Sequence, residues 1–170
     1  MIKPSVLLLA ATFSIAGLCS ASDAFASDLE GAWQGEKSSL IYFTTQPGDF
    51  ENSIDVEGCR LRAAVNLPEG RFELSELSAE CQNPQLIFKA AFPVISFTVD
   101  ENGWLYDEAG PAGRIFGNTV DFDFSDDQGG VHTVHLEATE DGLRAQWKFD
   151  GWGSPSFDLS SMNHPLKRTR

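Results

Sequence analysis

The alternation of apolar and polar side chains with a period of two, repeated along most of the chain, is the feature that most constrains its fold. Between Leu143 and Asp150, Leu143, Ala145, Trp147 and Phe149 fall on one side, with Arg144, Gln146, Lys148 and Asp150 on the other. Successive side chains of a strand point to opposite faces, so this segment reads as a strand with one face on a core and one in water. The same pattern sets Val120, Phe122 and Phe124 against Asp121, Asp123 and Ser125, and Cys59, Leu61, Ala63, Val65 and Leu67 against Arg60, Arg62 and Asn66. No segment carries a capped helical stripe.

Turn signals separate these runs at hairpin spacing: Pro68-Glu69-Gly70, Glu101-Asn102-Gly103, Asp126-Asp127-Gln128-Gly129-Gly130 and Glu140-Asp141-Gly142. Candidate strands lie near 31–36, 39–45, 54–66, 71–77, 85–91, 94–100, 104–107, 114–117, 119–125, 131–138, 143–150 and 156–160, and merging leaves about eight to ten. The expected fold is all-β, an antiparallel up-and-down β-barrel of that many strands, with a β-sandwich as the alternative. Closure into a barrel removes exposed edges.

Residues 1–26 have the layout of a secretory signal peptide: Lys3, an apolar run from Val6 to Leu18, and Ala24-Phe25-Ala26, with cleavage expected after Ala26. That run is too short to span a bilayer as a permanent helix, so no integral membrane segment is expected after its removal. Cys19 follows a bulky Leu18, unlike a lipoprotein site, and is expected to leave with the signal. Residues 27–162 then form one domain, and 163–170, which lose the alternation and gather Lys167, Arg168 and Arg170, read as a short basic tail that frays. The signal carries one cation, Lys3, and one anion, Asp23, so the rest of the chain keeps the net charge of −13. Such a field repels nucleic acid and anionic membrane surfaces.

Two cysteines remain after cleavage, Cys59 and Cys81. An even count in an oxidising compartment reads as one disulfide, and a hairpin reversing at Pro68-Glu69-Gly70 brings the two to the same end of neighbouring strands. Localisation is expected to be periplasmic or secreted.

His132 and His135 stand three apart on a strand, so they face opposite ways and cannot share a metal ion without a bulge. His132 shares the face of Val134 and Leu136 and reads as a hydrogen-bonded core or cavity residue. Asp121, Asp123, Asp126 and Asp127 read as a solvated acidic patch, since no calcium loop with a closing Glu follows. No Gly-x-Ser-x-Gly elbow, phosphate loop or His-Glu-x-x-His occurs. No catalytic or metal-ligating residue is assigned, and no cofactor is expected.

The chain carries 13 Phe, 4 Trp and 2 Tyr, enough either to fill a small β core or to line a cavity in one. The candidate ligand-binding residues are Trp33, Trp104, Tyr106, His132, Trp147 and Phe149. Trp152, between two glycines in Asp150-Gly151-Trp152-Gly153-Ser154-Pro155, is the candidate partner-binding tip.

Leu29-Glu30-Gly31-Ala32-Trp33-Gln34-Gly35 resembles the Gly-x-Trp opening of calycin-type barrels, the group that includes lipocalins. The resemblance implies that Trp33 closes one end of a barrel. The later chain is similar to bacterial lipocalin-like barrels in the strand Gly117-Asn118-Thr119-Val120-Asp121-Phe122, the Asp141-Gly142 tip, the strand holding Trp147 and the closing Phe157-Asp158-Leu159. A second resemblance, through Leu29, Gly31, Trp33, Cys59-Arg60-Leu61 and Cys81, is to small periplasmic inhibitors of secreted metalloproteases. It implies a mature N-terminus that enters a protease cleft.

The expected function is a non-enzymatic exported protein that holds a small apolar ligand, or an envelope partner protein, in a calycin-like barrel. Inhibition of a secreted protease is one alternative. The other is a barrel enzyme acting on a hydrophobic substrate, with His132 as the polar group inside.

Overall fold

A computed structural model describes residues 28–43, 53–151 and 155–169. The expected signal peptide and Trp152 lie outside the described residues. The described chain is all strand and turn: β1 (Gly31–Phe43), β2 (Ser53–Asn66), β3 (Arg71–Gln82), β4 (Ile87–Phe92), β5 (Ile95–Val99), β6 (Trp104–Tyr106), β7 (Pro111–Phe116), β8 (Thr119–Ser125), β9 (Val131–Thr139), β10 (Gly142–Asp150), β11 (Ser156–Ser160) and β12 (Lys167–Arg168). The stretches 31–36 and 39–45, read as separate strands, are one strand, β1, whose pairing with β2 shifts register between Gly35 and Leu40.

Hydrogen-bonded neighbours follow the order β1, β2, β3, β5, β6, β7, β8, β9, β10, β11, and every pair is antiparallel. β11 returns to β1 from Ser39↔Ser160 to Phe43↔Ser156, so ten strands form a closed, barrel-like ring. β4 stands off this ring and, among the described residues, pairs with β3 alone. It continues the line of β5 below a break at Pro93-Val94, where a residue without an N–H cannot extend the ladder.

The alternation dictates what goes inside. Leu143, Ala145 and Trp147 on β10, Val120 and Phe122 on β8, and Cys59, Leu61, Ala63 and Val65 on β2 are all buried. Rings from opposite walls meet: Phe72 of β3 lies 5.6 Å from Phe122 of β8, which lies 5.1 Å from Phe97 of β5. At this level the interior is filled by the protein's own side chains.

The turns of the β2–β3, β5–β6, β7–β8 and β9–β10 hairpins gather at one end of the ring with Trp33. There Trp33 is buried and its indole N–H donates to the Leu29 carbonyl at 3.0 Å. The segment read as a fraying tail closes this same end, which corrects that expectation. Leu166 is fully buried and exchanges backbone hydrogen bonds with Leu143 at 2.8 and 3.0 Å. Lys167 and Arg168 pair with Gln34 and Trp33, and the Arg168 guanidinium stacks 4.7 Å from the Trp33 ring centroid. Its Nη2 donates to the carbonyls of both Glu30 and Asp28. One apolar residue, Leu166, with backbone groups satisfied on both sides outweighs the polar composition around it.

Cys59 and Cys81 form the expected disulfide, with Cα atoms 4.4 Å apart. Among the described residues no helix is long and apolar enough to cross a membrane.

Candidate functional site

Away from the Trp33 end, the inner faces of β4, β8, β9, β10 and β11 bring together a cluster of aromatic rings. His132 of β9 is its centre and is 3% exposed. Its imidazole is stacked between Phe124 of β8, at 4.7 Å and 13°, and Phe149 of β10, at 4.6 Å and 25°. Phe92 of β4 meets it edge-on at 4.4 Å. Register explains the neighbours: Phe124 and Phe149 are the cross-strand partners of His132 on its two sides.

Both ring nitrogens are engaged. The Trp147 indole N–H donates to Nδ1 of His132 at 3.1 Å. Indole is a donor only, so Nδ1 is the unprotonated nitrogen and the neutral ring carries its proton on Nε2. Nε2 faces Oδ2 of Asp126 at 3.4 Å. Asp126 opens the β8–β9 turn and is held by it: Oδ1 accepts from the backbone N–H of Gln128 at 2.9 Å and of Gly130 at 2.8 Å. Gly130 has no side chain, and a Cβ there would run into the Phe149 ring and stand 2.9 Å from Asp126 Oδ2. The missing side chain lets Phe149 lie on His132 while the turn grips Asp126.

The electrostatics follow from this arrangement. Burial pushes the His132 pKa below the ordinary imidazole range, and the hydrogen bond and charge of Asp126 oppose that shift without cancelling it. A second proton would also set an Nδ1–H against the Trp147 N–H. The Asp126 carboxyl is held below the ordinary carboxylate range, first by the Gly130 backbone N–H.

A histidine whose pKa falls on folding makes the unfolded state bind more protons below about pH 6.5, so stability is full above that value and declines as pH falls through it. The slope from one such group is at most about 1.4 kcal/mol per pH unit. Asp126 acts in the same direction in a lower window, under its ordinary value. Urea midpoints of the wild type are expected to fall between pH 7.5 and 5.5, and those of His132→Gln to fall less over that range. Parallel curves would refute the buried neutral ring.

The expected site residues thus divide. His132, Trp147 and Phe149 come together in this cluster. Trp33 lies at the opposite end of the ring. Trp104 and Tyr106 stand on the outer wall either side of the inward Leu105: Trp104 is 42% exposed beneath the Arg114 guanidinium, and the Tyr106 hydroxyl faces Asp100 at 3.5 Å. They do not line the interior, because a three-residue strand can turn only its middle residue inward once Leu105 is buried. Trp152 lies outside the described residues.

Phe88, Phe92, Phe124, Phe157 and Asp126 also belong to the site, beyond the residues that the sequence singles out. Phe124 was legible, since it alternates in phase with the inward Val120 and Phe122. Phe92 was not, because β4 lies off the ring and its reach to Trp147, 5.3 Å, is a tertiary fact.

His135 is on the outer face, paired with Asp121, so the two histidines do face opposite ways. Among the described residues no group of three or more His, Cys, Asp or Glu side chains is placed to hold a metal ion. Clefts of about 330 and 670 Å³ on the outer wall are lined mainly by polar and charged side chains, such as Arg62 and Glu80 in one and Lys37 and Asp141 in the other, and neither includes a member of the aromatic cluster. No protein-family model matches the chain, and no curated protein matches it.

Proposed function

We infer that this is an exported, non-enzymatic binding protein that takes a small apolar ligand at the end of the ring opposite Trp33. The carrying observation is that Phe88, Phe92, Phe124 and Phe149 are only partly buried although they pack on a buried core around His132. Half-buried aromatic rings around one polar pair have the composition of a small-molecule site: apolar area supplies affinity, and a few fixed polar groups supply orientation. The disulfide fits life in an oxidising compartment.

Enzyme chemistry at His132 would require a free nitrogen, and Trp147 and Asp126 occupy both. Nor does an observation favour protease inhibition. Leu29 is fully buried, and the carbonyls of Asp28 and Glu30 accept from Arg168, so these residues are not free to enter a cleft.

Native mass spectrometry and tryptophan emission against a panel of fatty acids, retinoids, indoles and haem test the reading. At least one apolar compound is expected to bind one-to-one with a Kd of about 10 μM or tighter. Phe92→Asp, at the rim, is expected to weaken it at least about tenfold. A panel in which nothing binds below about 1 mM would sink the reading.

A further inference from the structure

We propose that the free edge of β4 is a docking site for an extended, positively charged segment of another protein, which adds to the sheet as a strand. In a ring that otherwise closes on itself, β4 is hydrogen-bonded on one side only among the described residues: all six of its register partners, from Leu77↔Phe92 to Gln82↔Ile87, belong to β3. Its other side makes no backbone hydrogen bond among the described residues. The wall facing it is also unpaired among the described residues. β7 covers β8 only from Thr119 to Phe122, so Asp123, Phe124 and Ser125 pair with β9 alone. The β6–β7 hairpin turns back at Asp107–Gly110, where the Asp107 N–H donates to the Gly110 carbonyl, and stops short of filling the interval.

Two strand edges therefore border one slot, bridged on its inner side by the Phe92 and Phe124 rings at 5.0 Å. Natural sheets blunt or cover such edges. β4 is blunted by its shortness, by Lys89 and by Pro93 at its end, yet it leaves Ile87 70% exposed, and Val94 just beyond it 58% exposed. A row of open backbone donors and acceptors is recognised by the matching row on an extended chain, with alternate side chains setting preference.

Charge selects which chain. Of the cations beside β4, Lys89 pairs with Glu80 at 2.7 Å and Arg60 with Glu36 at 3.1 Å, and Arg62 alone has no ion pair among the described residues. Across the slot, Asp123 and Asp127 have no ion pair among the described residues. A second copy of this chain would bring another −13 against the first, so self-pairing through β4 is opposed. A strand with Lys or Arg at alternate positions meets the uncompensated carboxylates and is drawn by the whole field.

The test uses the intact, oxidised protein and two pools of nine-residue peptides in which Val, Ile or Thr alternates with Lys in one and with Glu in the other. Amide hydrogen exchange is read at residues 87–92. Alternate amides of an antiparallel edge strand point away from their partner and exchange freely. With the Lys pool at about ten times its Kd they are expected to slow about tenfold. The Glu pool is expected to give no protection. Methylating alternate backbone nitrogens of a bound Lys peptide leaves its charge intact and is expected to abolish binding. Failure of the Lys pool to bind at millimolar concentration, equal binding of the Glu pool, affinity that survives methylation, or protection away from 87–92 would each overturn the proposal.

Discussion

Replacing Leu166 with Ala is expected to cost about 3–5 kcal/mol, the range for truncating a fully buried leucine where the surroundings cannot close the gap. The site is built around this side chain. Gly35 offers its bare Cα face, and a Cβ there would stand 2.7 Å from Leu166 Cδ2. Gly142 holds φ at +139°, and a Cβ on it would strike the Leu166 carbonyl oxygen. Neither glycine can move in to fill the vacancy, because both are fixed in paired strands. Arg168→Ala removes only a cation stacked on Trp33 and two exposed backbone contacts, and is expected to cost about 1 kcal/mol. Urea unfolding followed by tryptophan fluorescence measures both. A loss below about 1 kcal/mol for Leu166→Ala would mean that the C-terminal segment is not docked in solution.

The same segment marks where the sequence stops being legible. Strand faces could be read because alternation is local: each side chain's direction follows from its neighbours two away. Hence the inward sets on β2, β8, β9 and β10, the burial of His132 and the separation of His132 from His135 followed from the sequence alone. Leu166 sits in Asn163-His164-Pro165-Leu166-Lys167-Arg168, a window too short and too polar to carry a period. What orders it is a partner 23 positions away, Leu143, and two glycines whose bare Cα faces make room for it. β6 fails for a related reason. Three residues show no alternation worth reading, and the large aromatics Trp104 and Tyr106 suggest a lining role although Leu105 takes the interior. At the candidate site, Trp147 and Phe149 share a face and were readable together, whereas the contribution of β4 depends on a strand that leaves the ring.

Replacing Cys59 or Cys81 with Ser is expected to cost about 2–4 kcal/mol, and the oxidised protein cleaved after Ala26 is expected to contain no titratable thiol when unfolded without reductant. The bridge spans 22 positions, so its loss frees the unfolded chain by about 3 kcal/mol in the loop-closure picture. The register that makes it possible is less direct than a simple hairpin. Next to the turn, Asn66 pairs with Glu73 and Val65 with Leu74, a ladder that, continued unbroken, would set Glu80 opposite Cys59. The ladder slips by one residue at the next step, where Ala64 pairs with Glu76, leaving Ser75 as the extra residue with its hydroxyl donating to the Ala64 carbonyl at 3.2 Å. The slip resets the faces of β3: Phe72 and Leu74 point inward before it, and Leu77, Ala79 and Cys81 after it. Cys81 thereby arrives inside, opposite Cys59, with the two Cα atoms 4.4 Å apart. Two reactive sulfhydryls per unfolded, unreduced chain would contradict the bridge. A cysteine variant as stable as the wild type would show that β2 and β3 hold this register without it.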